Sequence, residues 1–193
     1  MVTRLHVHAI SPRARLGLLQ AGGLAFPCLL GRSGTKADKR EGDGATPRGL
    51  WRLCRVLFRR DRIAPPATAL PLKVIARHDG WCDAPLDRNY NRPVRLPYPA
   101  SHEELWRADH LYDVVVVLDH NARPRRRGGG SAVFFHLSSP ESVATAGCIA
   151  VALSHMRIIL ALCGPSTRLA VGATGRAVPR KSPNRRVHGW RRP

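Results

Sequence analysis

Two residues in this chain have the types and spacing for nucleophilic chemistry: His136 and Cys148, twelve positions apart in SAVFFHLSSPESVATAGCIAV, 131–151. A cysteine attacks as the thiolate, and a neighbouring imidazole is the commonest means of forming that species near neutral pH. Gly147 lacks a Cβ and lets backbone approach a bound carbonyl, with the amides of Gly147 and Cys148 available to a developing oxyanion. Taken singly, a cysteine among apolar residues is more often a small packed hydrophobe. A histidine at a strand end is more often a satisfied surface or core residue. The order histidine, polar loop, Thr-x-Gly-Cys-Ile favours the catalytic reading.

The elements around this pair follow from pattern. Ala132–Phe135 is an apolar, aromatic run that ends on His136, and Ile149–Leu153 is a second apolar run. Between them lies a polar loop rich in Ser, Pro and Thr, so the segment reads as strand, loop, strand. That places His136 at the exit of one strand and Cys148 just ahead of the next.

The residues His136, Thr145, Gly147, Cys148 and Ile149 resemble the signature of the L,D-transpeptidase catalytic domain, the YkuD-type family, in its proteobacterial subgroup. A second match lies about ninety residues upstream, where Thr46-Pro47-Arg48-Gly49-Leu50-Trp51 resembles the family's TPxG-aromatic turn leading into a strand. The resemblance spans 24–171 and implies that Cys148 is the nucleophile and His136 its general base. It also implies that the carbonyl just after the histidine, Leu137 or Ser138, orients the imidazole, and that Thr145 and Ala146 border the substrate. Three positions depart from the pattern: Leu137 replaces the usual Gly, Ala146 a second His, and Ala150 a frequent Arg.

What the resemblance implies chemically is acyl transfer on peptidoglycan stem peptides, with 3→3 or 1→3 cross-links as product and no cofactor or metal. Carbapenems are expected to acylate Cys148. The periplasm or cell envelope is the implied location, and a monomer the expected state. Hydrolysis by an L,D-carboxypeptidase or amidase on the same fold is the first alternative. A non-catalytic basic protein that binds nucleic acid or glycan is the second. Arginine clusters and a net charge of +19 support that second alternative. Against nucleic acid, the basic residues are not interleaved with aromatics and match no nucleic-acid motif.

Length suits a single domain, 1–174, with a basic tail, 175–193, expected to be disordered because it has seven Arg or Lys, no acid and little to bury. The five cysteines, Cys28, Cys54, Cys82, Cys148 and Cys163, have neither zinc spacing nor a C-x-x-C motif. They read as free thiols, one reactive and the others packed. Leu16–Leu30 follows Arg13 and Arg15 as a signal peptide would. Gly17, Gly22, Gly23 and Pro27 interrupt it and no small-residue cleavage site follows, so it reads as strands and turns of the domain.

The predicted fold is mainly β: an L,D-transpeptidase-type β-sandwich or curled mixed sheet with two or three short helices. Thr3–Ile10 alternates as a first strand, with His6 and His8 on one exposed side, and Asp113–Leu118 is a strand buried on both faces. Ser101 and Glu104 form a capping box that predicts a short helix to Asp109, and Ser154 caps a second helix, His155–Cys163. Asp79–Tyr98 predicts an ordered loop over the domain. Either it is a solvated turn or it is a donor-binding lid, with Arg88, Asn89, Tyr90 and Asn91 facing a carboxylated peptide. Arg123–Arg127, beside three glycines, predicts a flexible hairpin tip.

Overall fold

Alternating apolar residues build the frame. In the computed structural model, which describes residues 1–172, Arg4–Ala9 forms β1 with Leu5, Val7 and Ala9 turned into the core. Leu16–Ala21 (β2) and Leu24–Leu29 (β3) form a hairpin through Gly22 and Gly23, both at positive φ, as a tight two-residue turn requires. The apolar run with the look of a signal peptide is therefore this hairpin, folded into the sheet.

Two short strands, Thr35–Lys36 (β4) and Thr46–Pro47 (β5), pair in parallel and lead into the long β6, Gly49–Phe58. Leu72–Val74 (β7) follows, then Asp79–Cys82 (β8), Arg92–Arg95 (β9) and His102–Glu104 (β10). Val114–Leu118 (β11), Phe134–Leu137 (β12), Ile149–Val151 (β13), the helix Leu153–Leu162 (α1) and Arg168–Val171 (β14) complete the order. The main sheet runs β11-β12-β13-β3-β2-β1-β14-β6-β7, and a further pairing of β11 with β6 curls it closed. The result is a mainly β fold built on a curled mixed sheet, with one helix among the described residues rather than two or three.

Inside the curl lies the larger core, which takes Val114, Val116 and Leu118 from β11 and Phe135 and Leu137 from β12. α1 adds Met156, Ile159 and Leu160 to it. The other face of β11 and β12 contributes Val115, Val117 and Phe134 to a second core, capped by Trp81 from a three-stranded sheet, β10-β8-β9, and by Leu105 just after β10. β11 is thus buried on both faces, which is why its sequence runs apolar without alternation.

Four sequence readings need correction. Ser101–Asp109 is not a helix: His102–Glu104 pairs edge to edge with β8, and Leu105 alone of this segment is fully buried. Pairing with an existing edge satisfies its backbone, where one helical turn would leave its end groups open. Asp79–Tyr98 is not a loop but carries β8 and β9, joined by an ordered turn. α1 starts from Ala152 with no side-chain cap, so Ser154 lies in its first turn instead of capping it. Arg125 and Arg126 are also anchored, to the Tyr90 carbonyl and to Asp38 and Lys39, so their turn is tied down. The basic tail, 175–193, lies outside the described residues.

Asn91 joins the small sheet to the main one. Its Oδ1 accepts from Trp81 Nε1 at 3.0 Å and from the Ala132 amide at 3.2 Å. Its Nδ2 donates to the carbonyls of His120 and Asn121 at 3.1 and 3.0 Å. The backbone of Asn91 is in the left-handed region, φ 54°, which asparagine tolerates better than most residues. Asn91→Ala strands two donors and two acceptors, and is expected to cost about 2–4 kcal/mol in urea unfolding. A loss under about 1 kcal/mol would show that these bonds do not hold the two sheets together.

Candidate active site

β12 and β13 lie side by side and parallel, with Phe135 opposite Ile149 and His136 opposite Ala150. A parallel pair needs its connection to cross back over the sheet end, and here the short loop 138–148 does so without a helix. Side chains alternate along each strand, so Phe134 and His136 share the outer face with Cys148, which precedes β13. The two candidate catalytic residues therefore face the same side, over the second core. Both line a cleft of about 200 Å³ together with Glu103, Arg107, Tyr112 and Ala146. A second hollow of about 180 Å³ shares Cys148, Glu103 and Ala146 with it, and adds Lys39, Glu41 and Asp83.

Cys148 is only 8% exposed and already hydrogen bonded. Its Sγ accepts from the Phe134 amide at 3.3 Å and donates to the Ala132 carbonyl at 3.2 Å. Ala132 holds that carbonyl in place from a left-handed backbone, φ 49°, pinned by Asn91. Burial pushes the thiol up to about 12, with Glu103 adding to the rise. The Phe134 amide and the charge of Lys39 pull the other way.

His136 is buried too. Its Nδ1 sits 2.8 Å from the Leu137 carbonyl. A carbonyl only accepts, so the proton is on Nδ1 and the Nε2 lone pair is free to act as a base. Burial holds the ring down at about 4, against the bond to Leu137, so it is neutral at physiological pH. The Tyr112 ring stands edge-on to it, centroids 5.1 Å apart, and the Tyr112 hydroxyl donates to Glu103 at 2.6 Å. The expectation of a thiolate held by its imidazole is thus overturned for the resting protein. Low polarity disfavours both ions, and the thiol's proton goes to Ala132 instead.

The Gly147-Cys148 turn is built differently from the sequence expectation. The Gly147 amide donates to Thr145 Oγ1 at 3.1 Å, so it is already engaged and not open to an oxyanion. Glycine is required because φ is 138° and a Cβ would meet the Ala45 carbonyl at 2.9 Å. Thr145 Oγ1 also donates to the Cys148 carbonyl at 2.7 Å, and Thr46 Oγ1 reaches the same carbonyl at 3.2 Å. Thr46 is fully buried and accepts from the Gly31 amide at 2.8 Å. Two hydroxyls thereby fix the peptide that carries Cys148, and the upstream TPRG turn is one of the two supports.

The four residues Arg88, Asn89, Tyr90 and Asn91 do not line either hollow at Cys148. Tyr90 is buried with its hydroxyl donated to Glu41, and Asn91 is occupied as the joint between sheets. Asn89 bonds Tyr98, and Arg88 is exposed. Glu103, Tyr112, Lys39 and Thr46 were missed as site residues by sequence reasoning. Only Thr46 had a signal, in the TPRG match. Cys148 is buried like Cys28, Cys82 and Cys163, though it keeps slightly more exposure than they do, whereas Cys54 is the exposed thiol, against the expectation that it packs inside. His6 and His8 stack with centroids 5.9 Å apart, and no cluster of three metal-ligating side chains occurs among the described residues.

The sign of the pH dependence follows from the raised thiol. Thiolate is the reactive form and its fraction grows as pH climbs toward about 12. Alkylation of Cys148 by iodoacetamide, followed on its peptide by mass spectrometry, is expected to speed up about tenfold per pH unit above neutrality. A rate already level at about pH 7 would show a preformed thiolate–imidazolium pair.

No curated protein matches this chain significantly. No helix among the described residues is long and apolar enough to cross a membrane. The chain does match the YkuD L,D-transpeptidase catalytic domain over residues 6–171, a stretch that includes both catalytic candidates, the TPRG turn and nearly the whole curled sheet. The chain belongs to the YkuD family of L,D-transpeptidase catalytic domains.

Proposed function

We propose that this protein is a cysteine acyltransferase that cross-links peptidoglycan stem peptides. The observation that carries this reading is the placement of Cys148 and His136 on one face of adjacent parallel strands, opening into a single cleft. In the first step the carbonyl between the third residue and the terminal D-alanine of a tetrapeptide stem enters that cleft. The Cys148 sulfur forms its bond to carbon as the thiol proton passes to His136 Nε2. The C–N bond then breaks, and the D-alanine amine leaves with the proton from His136. The thioester so formed is a good acyl donor to amines. Because the Gly147 amide is engaged, we assign the Cys148 amide as the backbone donor to the oxyanion.

A neutral resting pair suits this sequence of events. Charge appears only as the substrate arrives and is spread at once onto its carbonyl oxygen, so no ion has to persist in the buried site. The acceptor amine is assigned to the other hollow, which contains Glu41, Asp83 and Glu103. Asp83 lines it, and its Oδ1, closed off from solvent, has no hydrogen-bond partner among the described residues, so a turn of the carboxylate toward an incoming ammonium would satisfy it. Glu103, held up by burial, stands at the junction of the hollows, placed to take the proton that the attacking amine sheds. A cell-envelope polymer as substrate supports a location in the periplasm or cell envelope. The cross-link is 3→3 or 1→3 according to which amine of the acceptor attacks.

Incubation with a tetrapeptide donor and separation of the products tests the reaction. The expected result is dimers plus free D-alanine, with intact-mass detection of a carbapenem adduct on the wild type and none on Cys148→Ser. Monomeric tripeptide without dimers would make the protein a hydrolase, and no adduct on the wild type would overturn the thiol mechanism. Asp83→Asn is expected to raise the acceptor KM about tenfold, with D-alanine release in the first half-reaction little changed. Equal loss in both half-reactions would remove Asp83 from the acceptor side.

A further inference from the structure

A larger hollow than either at Cys148 lies elsewhere among the described residues. It is a groove of about 520 Å³ whose lining shares no residue with either hollow of the active site. Four arginines line it: Arg55 from β6, Arg92 from β9, and Arg123 and Arg125 from the turn after β11. No acidic residue lines it. None of the four has a carboxylate partner among the described residues, whose ion pairs all involve other cations. Asp119, whose charge is felt at Cys54, does not line the groove and accepts from the Arg52 amide at 2.7 Å.

Uncompensated guanidinium groups crowded round one hollow repel each other, and that repulsion is relieved by an anion. The groove is also built and not merely charged. Arg125 is half-buried and fixed by donating to the Tyr90 carbonyl at 2.7 Å. Trp81, Val117 and Leu118 give the groove an apolar floor, and the hollow falls within the size range of small-ligand sites. Guanidinium is the side chain suited to planar, two-point recognition of carboxylate and phosphate. We infer that this groove is an anion-binding site, separate from the acyl-transfer cleft, for a ligand carrying two or more phosphate or carboxylate groups. Its existence does not depend on the peptidoglycan reading.

Cys54 lines the groove and is the exposed cysteine of the five, so it reports occupancy directly. The test is the rate of Cys54 modification by N-ethylmaleimide in the full chain, read on its peptide by mass spectrometry. Tripolyphosphate serves as the phosphate probe and the stem tripeptide L-Ala-γ-D-Glu-diaminopimelate as the carboxylate probe. At a probe concentration ten times its Kd, modification is expected to slow about tenfold, since only free protein reacts. Protection by tripolyphosphate alone identifies a phosphate ligand, and protection by the tripeptide alone a carboxylate ligand. Arg92→Ala/Arg123→Ala is expected to abolish the protection. Arg4→Ala/Arg13→Ala, which removes the same charge from exposed positions outside the groove, is expected to keep it. Absence of protection by both probes overturns the inference. So does protection that survives the groove pair, or that both pairs lose alike, since the effect would then belong to the overall charge.

Discussion

Burial of the thiol and the imidazole on one face of β12 and β13 governs the chemistry of this protein. Burial raises the thiol and lowers the imidazole, so the ion pair is unfavourable at rest and each group takes a backbone partner instead. On the proposed acyl-transfer reading, the cost of creating charge in that place reserves Cys148 for a bound substrate. In that proposal a bound carbonyl, taking up negative charge as the sulfur attacks, is what makes proton transfer to Nε2 favourable. A cysteine so protected is also guarded against oxidants and adventitious electrophiles, which attack thiolates.

Such a site tolerates little displacement, and the surrounding bonds reflect that. The Cys148 peptide is held through its carbonyl by Thr46 and Thr145, the sulfur through Phe134 and Ala132, and Ala132 in turn through Asn91. These supports come from four separate stretches of chain. The three-stranded sheet roofs the site through Trp81, which packs edge-on against Phe134 with centroids 5.1 Å apart. Asn91 thus acts on the nucleophile at one remove, by fixing a carbonyl it never shares with substrate.

Much of the frame was legible in the chain because it is local. The alternation of Leu5 and Val7 with polar neighbours and the unbroken valines of β11 each specify an element within a few residues. Cys148, His136 and the TPRG turn were legible as motifs. What escaped was non-local. The capping box at Ser101 is sound by itself, yet an open edge of β8 competes for the same backbone and wins. Tyr90 and Asn91 have the composition of a binding surface, but the fold spends them as buried joints. The neutral state of the catalytic pair was illegible too, because two residues' types say nothing of how dry their surroundings are.

The protonation state of His136 in the resting protein is the most direct measurement of all this. Long-range proton–nitrogen correlation NMR on uniformly labelled protein near neutral pH distinguishes the two neutral tautomers from the imidazolium. The expected result is a neutral ring with its proton on Nδ1 and a bare Nε2, unchanged until the sample is well acidified. Two pyrrole-like nitrogens at neutral pH, shifting together when Cys148 is replaced by alanine, would mean a standing thiolate–imidazolium pair and would contradict the neutral site.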